Sequence, residues 1–327
     1  MNTPLKVSVV VPALNEESTI GDIVAGILAV NPDYEVIVVD DGSADGTAQA
    51  ARDSGAVVIS HPYNLGNGAS VTAGSLAASG DIIVMIDADG QHPPECIPML
   101  IEHMGAYDMV VGARTRHSKT SRRRAFGNFI LNKIASWISG HPIKDLTSGF
   151  RAIKRKHLLE YIHLFPARYS YPTTITMAMI QGRHFVKYVP VDAIQRRHFG
   201  RSNIKPIRDF IRFLNIMMRL LVLFSPQKFF LPLSALTLVF GMALGLYQLI
   251  THGGLFGSSQ LLLLSAVYFF CFGLLAEQIA FIRRQVGRSG QNGEADAGRA
   301  MSARSDFLER QGEREVELRR RHEVKGK

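Results

Sequence analysis

Short apolar runs rich in β-branched residues alternate with amphipathic stretches through the N-terminal part of the chain. The runs predict strands at 7–11, 35–39, 56–60, 82–86, 109–112 and 185–189. The stretch 18–27 has the spacing of an amphipathic helix, and Ser18 or Thr19 is expected to cap it. Strands alternating with helices at this rhythm predict a doubly wound, mostly parallel α/β sheet that is covered on both faces.

Two longer apolar runs follow, at 229–250 and 261–282, with a short polar turn at 251–260 between them. Each run as a helix covers roughly the 30 Å thickness of the hydrocarbon layer, so the pair predicts a transmembrane hairpin. Gly241 and Gly245 form a small-xxx-small pair that would let the two helices pack closely. Two core helices of a large soluble protein are the alternative interpretation.

The pattern changes again on both sides of these runs. Residues 206–228 combine arginines with apolar residues at helical spacing, which predicts an amphipathic helix in the membrane interface. Residues 283–327 are polar, mixed in charge and poor in aromatics, which predicts a disordered tail. The predicted domains are therefore 1–205, 206–228, 229–250, 261–282 and 283–327.

The charge is unbalanced, with 37 Lys and Arg against 28 Asp and Glu, which indicates an anionic partner such as nucleic acid or a membrane surface. The basic stretches flank the apolar runs and lack interleaved aromatics, so we expect membrane lipids and no nucleic acid. Lys and Arg are dense on both outer flanks and absent from the turn. The positive-inside rule therefore predicts a multi-pass protein of the plasma (inner) membrane, with the α/β domain and both termini cytoplasmic.

Two carboxylates, Asp87 and Asp89, come directly after the run at 82–86. Ligands of open α/β sheets bind beyond the carboxyl ends of the strands, so these acids are expected in the ligand crevice. Paired carboxylates repel each other, and Mg²⁺ or Mn²⁺ shared with substrate phosphates would relieve that repulsion. A plain polar turn after a strand is the alternative.

A glycine-rich stretch at 64–69 follows the third predicted strand and opens a helix. Gly66 and Gly68 would let backbone amides approach a phosphate at that helix N-terminus. A dinucleotide-binding turn is the alternative, but Val71 stands where its third glycine belongs, and the turn should follow the first strand of a fold.

Five motifs together resemble one enzyme family. VVPALNE at 10–16, VDDGSADGT at 39–47 and DADGQHPPE at 87–95 resemble the GT-A glycosyltransferases of family 2. DLTSGFR at 145–151 and HFGRSN at 198–203 resemble its polyprenyl-phosphate (dolichol-phosphate mannose-type) sugar synthases. The resemblance covers about residues 5–285, and the motifs arrive in the family's order. It implies a GT-A fold and the transfer of a sugar from a nucleotide sugar (UDP- or GDP-linked) to undecaprenyl or dolichyl phosphate, with inversion of the anomeric carbon.

The resemblance also implies roles for individual residues. The predicted donor site consists of Pro12, Leu14, Asn15, Glu16, Asp40, Asp41, Gly68 and Asp87. The predicted site for Mg²⁺ or Mn²⁺ consists of Asp87, Asp89 and Gln91. The predicted acceptor-phosphate site consists of Arg114, Arg124, Ser148, Arg201 and Ser202. Asp89, Arg114 and Arg201 are expected to carry the catalytic roles.

The chain departs from the family at two positions, because members often have Lys or Arg where it has Asn67 and Asn203. The arginines at 122–124 could replace those phosphate contacts, although a solvated basic loop or a contact with anionic lipid is an equal alternative. Three further alternatives stay open at this point: a different membrane lipid as acceptor, a catalytically inactive membrane scaffold, and a homo-oligomer.

Overall fold

A computed structural model describes residues 5–114, 122–167, 171–191, 224–254 and 256–282, together with 215, 218 and 222, but not the side chains of 122–126. The strands are β1 (Val7–Ala13), β2 (Glu35–Asp40), β3 (Val57–Ser60), β4 (Ile82–Met85), β5 (Met109–Arg114), β6 (Arg151–Lys154) and β7 (Val186–Val191). The α-helices are α1 (Glu17–Val30), α2 (Thr47–Asp53), α3 (Asn67–Ala77), α4 (Ile97–Ile101), α5 (Arg122–Ser139), α6 (Arg155–Tyr161), α7 (Tyr171–Gln181), α8 (Gln227–His252) and α9 (Gly257–Ile282). Short 3₁₀ helices occupy Pro94–Cys96 and Ile162–Leu164.

The strands form one sheet in the order β3-β2-β1-β4-β6-β5-β7. All neighbouring pairs are parallel except those of β6, which runs antiparallel to both β4 and β5. The prediction of a doubly wound, mostly parallel sheet is confirmed. The sequence pattern did not predict β6, because its four residues follow a turn directly and only its neighbours in the sheet make it a strand.

Alternate residues of the central strands pack on opposite faces of the sheet, as the pleat requires. Val9 and Val11 lie in a core with α1, α2 and α4, whereas Val10 lies in a second core with α3, α6 and α7. These strands are buried on both faces, which explains why they are continuous apolar runs in the sequence.

The start of α1 differs from the expectation. The helix begins at Glu17, and neither Ser18 nor Thr19 caps it. The Thr19 hydroxyl lies 2.9 Å from the carbonyl oxygen of Ala88, to which it donates a hydrogen bond. Thr19 therefore ties α1 to the loop after β4, which the local pattern could not indicate.

Helices α8 and α9 are long and apolar enough to cross a membrane, and only 17% of each apolar window is buried within the protein. The buried residues of α8 are Ser234, Gly241, Gly245 and Gln248, which follow one another at helical spacing. The Ser234 hydroxyl donates to the carbonyl oxygen of Ala266 at 2.8 Å, and a Cβ on Gly241 would lie 3.1 Å from the backbone of Leu263. Small residues therefore bring the helices together, and their outward apolar side chains indicate a membrane protein.

The base of the hairpin is bonded to α5. The Lys228 ammonium donates to the carbonyl oxygens of Trp137 and Ile138, both at 2.8 Å, near the C-terminus of α5. It also lies 5.6 Å from the centre of the Trp137 ring, and Trp137 is 55% exposed. A cation at the C-terminus of a helix satisfies its last carbonyls, and an exposed Trp is typical of the membrane interface.

Residues 1–280 form one compact unit, and Phe281–Lys327 forms another of which only Phe281 and Ile282 are described. The predicted interfacial helix at 206–228 and the predicted tail at 283–327 therefore lie largely outside the described residues. Nothing in the structure tests the predicted domain boundaries.

Candidate active site

A cleft of about 440 Å³ opens beyond the carboxyl ends of β1 and β4. In the sheet β1 lies between β2 and β4. The strands that follow β1 in the chain, β2 and β3, lie to one side of it and β4 lies to the other, so the cleft lies where the strand order reverses. This is where open α/β sheets bind their ligands. The residues that line the cleft are Pro12, Ala13, Leu14, Glu16, Asp41, Asn64, Gly66, Asn67, Ser70, Asp87, Ala88 and Asp89.

The loop after β1 is held against the loop after β2 by reciprocal bonds. The backbone N–H of Asn15 donates to the Ser43 hydroxyl at 2.9 Å, and the Asn15 side-chain oxygen accepts from the backbone N–H of Ala44 at 2.9 Å. Asn15 has φ of 54°, in the left-handed region that asparagine tolerates. Buried Asp40 accepts from the backbone N–H of Ser43 at 3.0 Å. Asn15 and Asp40 thus shape the cleft at the ends of β1 and β2 without lining it.

Asp41 lines the cleft but also anchors the loop that follows β3. Its carboxylate lies 2.9 Å from His61 Nδ1 and accepts from the backbone N–H groups of Leu65 and Gly66 at 3.0 and 2.8 Å. This network holds the start of α3 against the cleft.

Gly68 does not line the cleft. It is buried at the start of α3, where an added Cβ would lie within clashing distance of the carbonyl oxygen of Pro166. The next residue, Ala69, donates its backbone N–H to the carbonyl oxygen of Ala167 at 2.9 Å. Gly68 therefore allows the backbone segment 166–167 to pack on α3, and the cleft is lined by its neighbours Gly66 and Asn67.

Asp87 and Asp89 both line the cleft, as the sequence predicts. Asp87 lies against Gly149, where an added Cβ would be 2.5 Å from Asp87 Oδ2. A glycine is needed here because a larger residue would displace that carboxylate. The motif at 145–151 leads into β6, which pairs with β4, and it therefore contacts the Asp87 carboxylate at the end of β4.

Gln91 is bonded to Asp89 rather than facing the cleft by itself. Its side-chain amide donates to Asp89 Oδ2 at 2.7 Å, and its backbone N–H donates to Asp89 Oδ1 at 3.1 Å. Gln91 thereby fixes the orientation of Asp89.

Arg114 ends β5 and forms a bidentate ion pair with Asp145. The Nε and Nη2 atoms of Arg114 each lie 2.8 Å from an Asp145 oxygen, and Nη2 also donates to the Thr147 hydroxyl. Burial opposes the charge of Arg114, but the bonds from Asp145 hold its pKa above the ordinary value. Burial likewise opposes the charge of Asp145, and the bonds from Arg114 lower the pKa of Asp145. Arg114 therefore stays charged and interacts electrostatically with Asp87, while Asp145 balances its charge.

Ser148 and Arg151 are turned into the protein. Ser148 is buried and donates its hydroxyl to the carbonyl oxygen of Gly112 at 2.7 Å, so it braces the motif against β5. Arg151 is fully buried and donates to the carbonyl oxygens of Ser148 and Pro172 and to the Thr176 hydroxyl. A fully buried arginine is rare. The sequence did not predict an individual role for Arg151.

His92 is a second residue to which sequence reasoning gave no role. It is 6% exposed, it stacks on Phe150 with ring centres 5.2 Å apart, and neither ring nitrogen has a hydrogen-bond partner among the described residues. Burial, and then the positive charge of Arg114, lower the pKa of His92 to about 4. His92 is therefore neutral at physiological pH, and its position just after the carboxylate motif was the available signal.

Three predicted acceptor residues cannot be placed. Arg201 and Ser202 lie outside the described residues, and Arg124 lies in α5 but its side chain is not described. Of the predicted acceptor residues, the structure places Arg114 near the cleft and Ser148 beneath it.

Comparisons with known proteins agree with this architecture. Residues 8–162 match the model of glycosyl transferase family 2. Residues 225–282 match the GtrB C-terminal hairpin, which coincides with α8 and α9 and the short segment before them.

Similar curated proteins are named undecaprenyl-phosphate 4-deoxy-4-formamido-L-arabinose transferase. The one from Aeromonas hydrophila subsp. hydrophila is 37% identical over 171 residues, which span 49% of this chain and 52% of that protein, so the chain matches about half of its length. The one from Shewanella sediminis is 28% identical over 302 residues, which span 86% of this chain and 87% of that protein.

Solved structures with a similar fold include glucosyl-3-phosphoglycerate synthase from Mycobacterium tuberculosis. Its complex with phosphoglyceric acid has a TM-score of 0.54 and 22% identity, and the match covers 67% of this chain and 79% of that one. Its complex with Mg²⁺ and uridine diphosphate has a TM-score of 0.54 and 24% identity over the same shares. These matches show the GT-A type of sheet. The chain therefore contains a family 2 glycosyl transferase domain at residues 8–162 and a GtrB C-terminal hairpin at residues 225–282.

Proposed function

We propose that the cleft binds a nucleotide sugar and that the protein transfers the sugar to a polyprenyl phosphate. The observation that carries the proposal is the position of Asp87 and Asp89 at the switch point of a sheet whose domain is bonded to an apolar hairpin. A water-soluble donor and a membrane-embedded acceptor could then meet at one site. The names of the undecaprenyl-phosphate transferases similar to this chain support this acceptor class.

The donor side is formed by the loops after β1 and β2. Pro12, Leu14 and Glu16 line the cleft and offer a partly apolar wall to a nucleoside, while Asp87 and Asp89 lie where its diphosphate would reach. Two carboxylates next to a phosphate-binding cleft fit a hard divalent cation, and the similar synthase structures contain Mg²⁺ or Mn²⁺ with uridine diphosphate. When bound, such a cation would neutralise the charge of the departing nucleoside diphosphate. Gln91 would keep Asp89 aimed at that position.

The acceptor side is formed by Arg114 and the motif at 145–151. Asp145 holds the Arg114 guanidinium by two bonds, so the cation keeps its position when no phosphate is present. Arginine pairs with phosphate through short, charge-assisted hydrogen bonds. Arg201 and Ser202, and Arg124 on α5, are proposed to add contacts to the same phosphate.

The transfer needs no general base from the protein. A phosphate monoester carries most of its two negative charges near neutral pH, so its oxygen is already a nucleophile. That oxygen bonds to the anomeric carbon while the bond to the nucleoside diphosphate breaks and its electron pair leaves with the diphosphate. The protein's part is to align the two substrates and to stabilise the charges, through Arg114 and through the divalent cation that the paired carboxylates would hold. In-line attack gives inversion.

The orientation in the membrane follows from the charges. Lys228 at the start of α8 is basic, and the turn between α8 and α9 contains no Lys or Arg. We propose that the α/β domain and both termini face the cytoplasm of a cell with an inner membrane, where nucleotide sugars occur.

Replacing Asp89 with asparagine tests the donor site. The substitution keeps the size of the side chain and removes one charge. An interaction with a charged group is worth about 1.5–3 kcal/mol, so divalent-dependent binding of UDP or GDP should weaken by about ten- to a hundredfold. Isothermal titration of the nucleotide in Mn²⁺ measures it. Asp22→Asn is the matched control, because Asp22 is exposed on α1 and its loss should leave affinity unchanged. Equal affinity in both variants would refute the assignment of Asp89.

A further inference from the structure

A second cluster of side chains that can bind a metal lies at the end of the strands opposite the cleft. In the register of β4 with β6, Met85 pairs with Arg151 at the cleft end and Ile82 pairs with Lys154 at the far end. Asp108 just before β5, His157 on α6 and His184 between α7 and β7 meet at this far end. The cluster therefore joins three separate parts of the fold and is distinct from the donor cleft.

The two imidazoles lie side by side between two carboxylates. Their ring centres are 4.2 Å apart, and each ring turns one nitrogen towards Asp108 and the other towards Glu160. His157 Nε2 lies 3.5 Å and His184 Nδ1 lies 3.8 Å from the Asp108 carboxylate. On the other edge, Glu160 Oε2 lies 3.8 Å from His157 Nδ1 and 3.7 Å from His184 Nε2.

This arrangement matches the usual order around a zinc ion, in which one nitrogen of each histidine binds the metal and the other donates to a second group. The Tyr161 hydroxyl lies 3.1 Å from His184 Nε2, and in the tautomer that carries its proton on Nε2 the Nδ1 lone pair faces Asp108. Tetrahedral zinc with ligands about 2.0–2.1 Å away needs ligand atoms roughly 3.4 Å apart. The two histidine nitrogens lie 3.5 and 3.8 Å from different oxygens of Asp108, and one ligand atom from each of the three residues lies within 4.8 Å of the others.

The access of the cluster also fits a metal. Side-chain exposures of 11–17% leave the groups reachable from solvent. Lys154 already pairs with Asp108 Oδ1 at 2.9 Å, but a carboxylate has about four lone-pair positions and can hold both.

We propose that Asp108, His157 and His184 bind a borderline divalent cation of the Zn²⁺ type, with Glu160 as the outer partner of both histidines. Two imidazoles favour such a cation over Mg²⁺ or Ca²⁺. The ion would join β5, α6 and the segment before β7, and so stabilise the half of the sheet that carries Arg114. The inference does not rest on the proposed function.

The test is a Zn²⁺ titration of the full-length protein in detergent, without a polyhistidine tag and in excess Mg²⁺, using a chromogenic competitor to report free Zn²⁺. One ion per chain is expected, together with a higher melting temperature. His157→Gln and His184→Gln should each weaken binding by at least about a hundredfold, and Glu160→Gln by about ten- to a hundredfold. His163→Gln is the matched control, because His163 is exposed and near α6 but outside the cluster.

Lys154→Met keeps the proposal falsifiable if the histidine variants unfold. Removing the ammonium takes a positive charge away from Asp108, so Zn²⁺ should bind several-fold more tightly, a gain that misfolding cannot produce. Zinc affinity that is the same in the wild type, His184→Gln and His163→Gln would overturn the proposal. Weaker binding in Lys154→Met would overturn it as well.

Discussion

Replacing Gly149 with alanine should disable the cleft and leave the fold standing. Gly149 does not have a left-handed backbone, so alanine is allowed there and would by itself stabilise the chain by about 0.4–1 kcal/mol. The new Cβ, however, would lie 2.5 Å from Asp87 Oδ2 and 3.1 Å from the Asp87 Cγ. Asp87 must then move by roughly 1 Å, and a misplacement of that size costs about a hundredfold in turnover. Overpacking of this kind lowers the free energy of unfolding by about 1–3 kcal/mol.

The measurement compares nucleotide affinity in Mn²⁺ and kcat/KM for glycolipid formation in the wild type and Gly149→Ala. Gly105→Ala is the control, because a Cβ at Gly105 meets no atom within 4 Å and its backbone is not left-handed. The control should match the wild type. If Gly149→Ala also stays within about threefold of the wild type, less than 1 kcal/mol in transition-state binding, then Asp87 does not hold the donor in this geometry.

Two further predictions concern pH and topology. The pKa of His92 is lowered to about 4 in the folded chain, whereas an unfolded histidine is protonated near pH 6.5. Between these two pH values only the unfolded chain binds the proton, so the contribution of neutral His92 to stability is complete above pH 6.5 and is lost as the pH falls towards 4. His92→Leu should remove up to about 3 kcal/mol of that pH dependence, as measured by denaturant unfolding at pH 7 and pH 4.5, and an unchanged slope would refute it. In a background without Cys96 and Cys271, an impermeant maleimide added to intact cells should label Gly254→Cys but not Ser302→Cys, and the reverse pattern would overturn the cytoplasmic orientation.

The sequence predicted the features that arise from local patterns. Buried parallel strands are continuous apolar runs, so β1, β2 and β4 were recognisable, and the polar residues that end them had to meet at one edge of the sheet. The apolar lengths of α8 and α9 likewise predicted the hairpin. The carboxylates Asp87 and Asp89 were found because both clues, strand end and paired charge, are local.

The remaining features depend on residues far apart in the chain. Nothing near Arg114 shows that Asp145 occupies its guanidinium, and nothing near Ser148 shows that its hydroxyl turns to Gly112. Gly68 lies in a glycine-rich stretch that resembles a phosphate-binding loop, but its lack of a side chain allows Pro166 to pack against α3. Directions of side chains at such positions are set by tertiary packing, which a motif does not encode.

The most direct test of the account is the formation of glycolipid by membranes that contain the protein. The membranes are incubated with a panel of UDP- and GDP-sugars in Mg²⁺ or Mn²⁺, with and without undecaprenyl or dolichyl phosphate, and labelled sugar is followed into the lipid extract. We expect a polyprenyl-phosphate sugar that forms only when both substrates and the divalent cation are present, with one nucleoside diphosphate released for each sugar transferred. Transfer to another membrane lipid without polyprenyl phosphate, or no transfer from any donor in the panel, would contradict it.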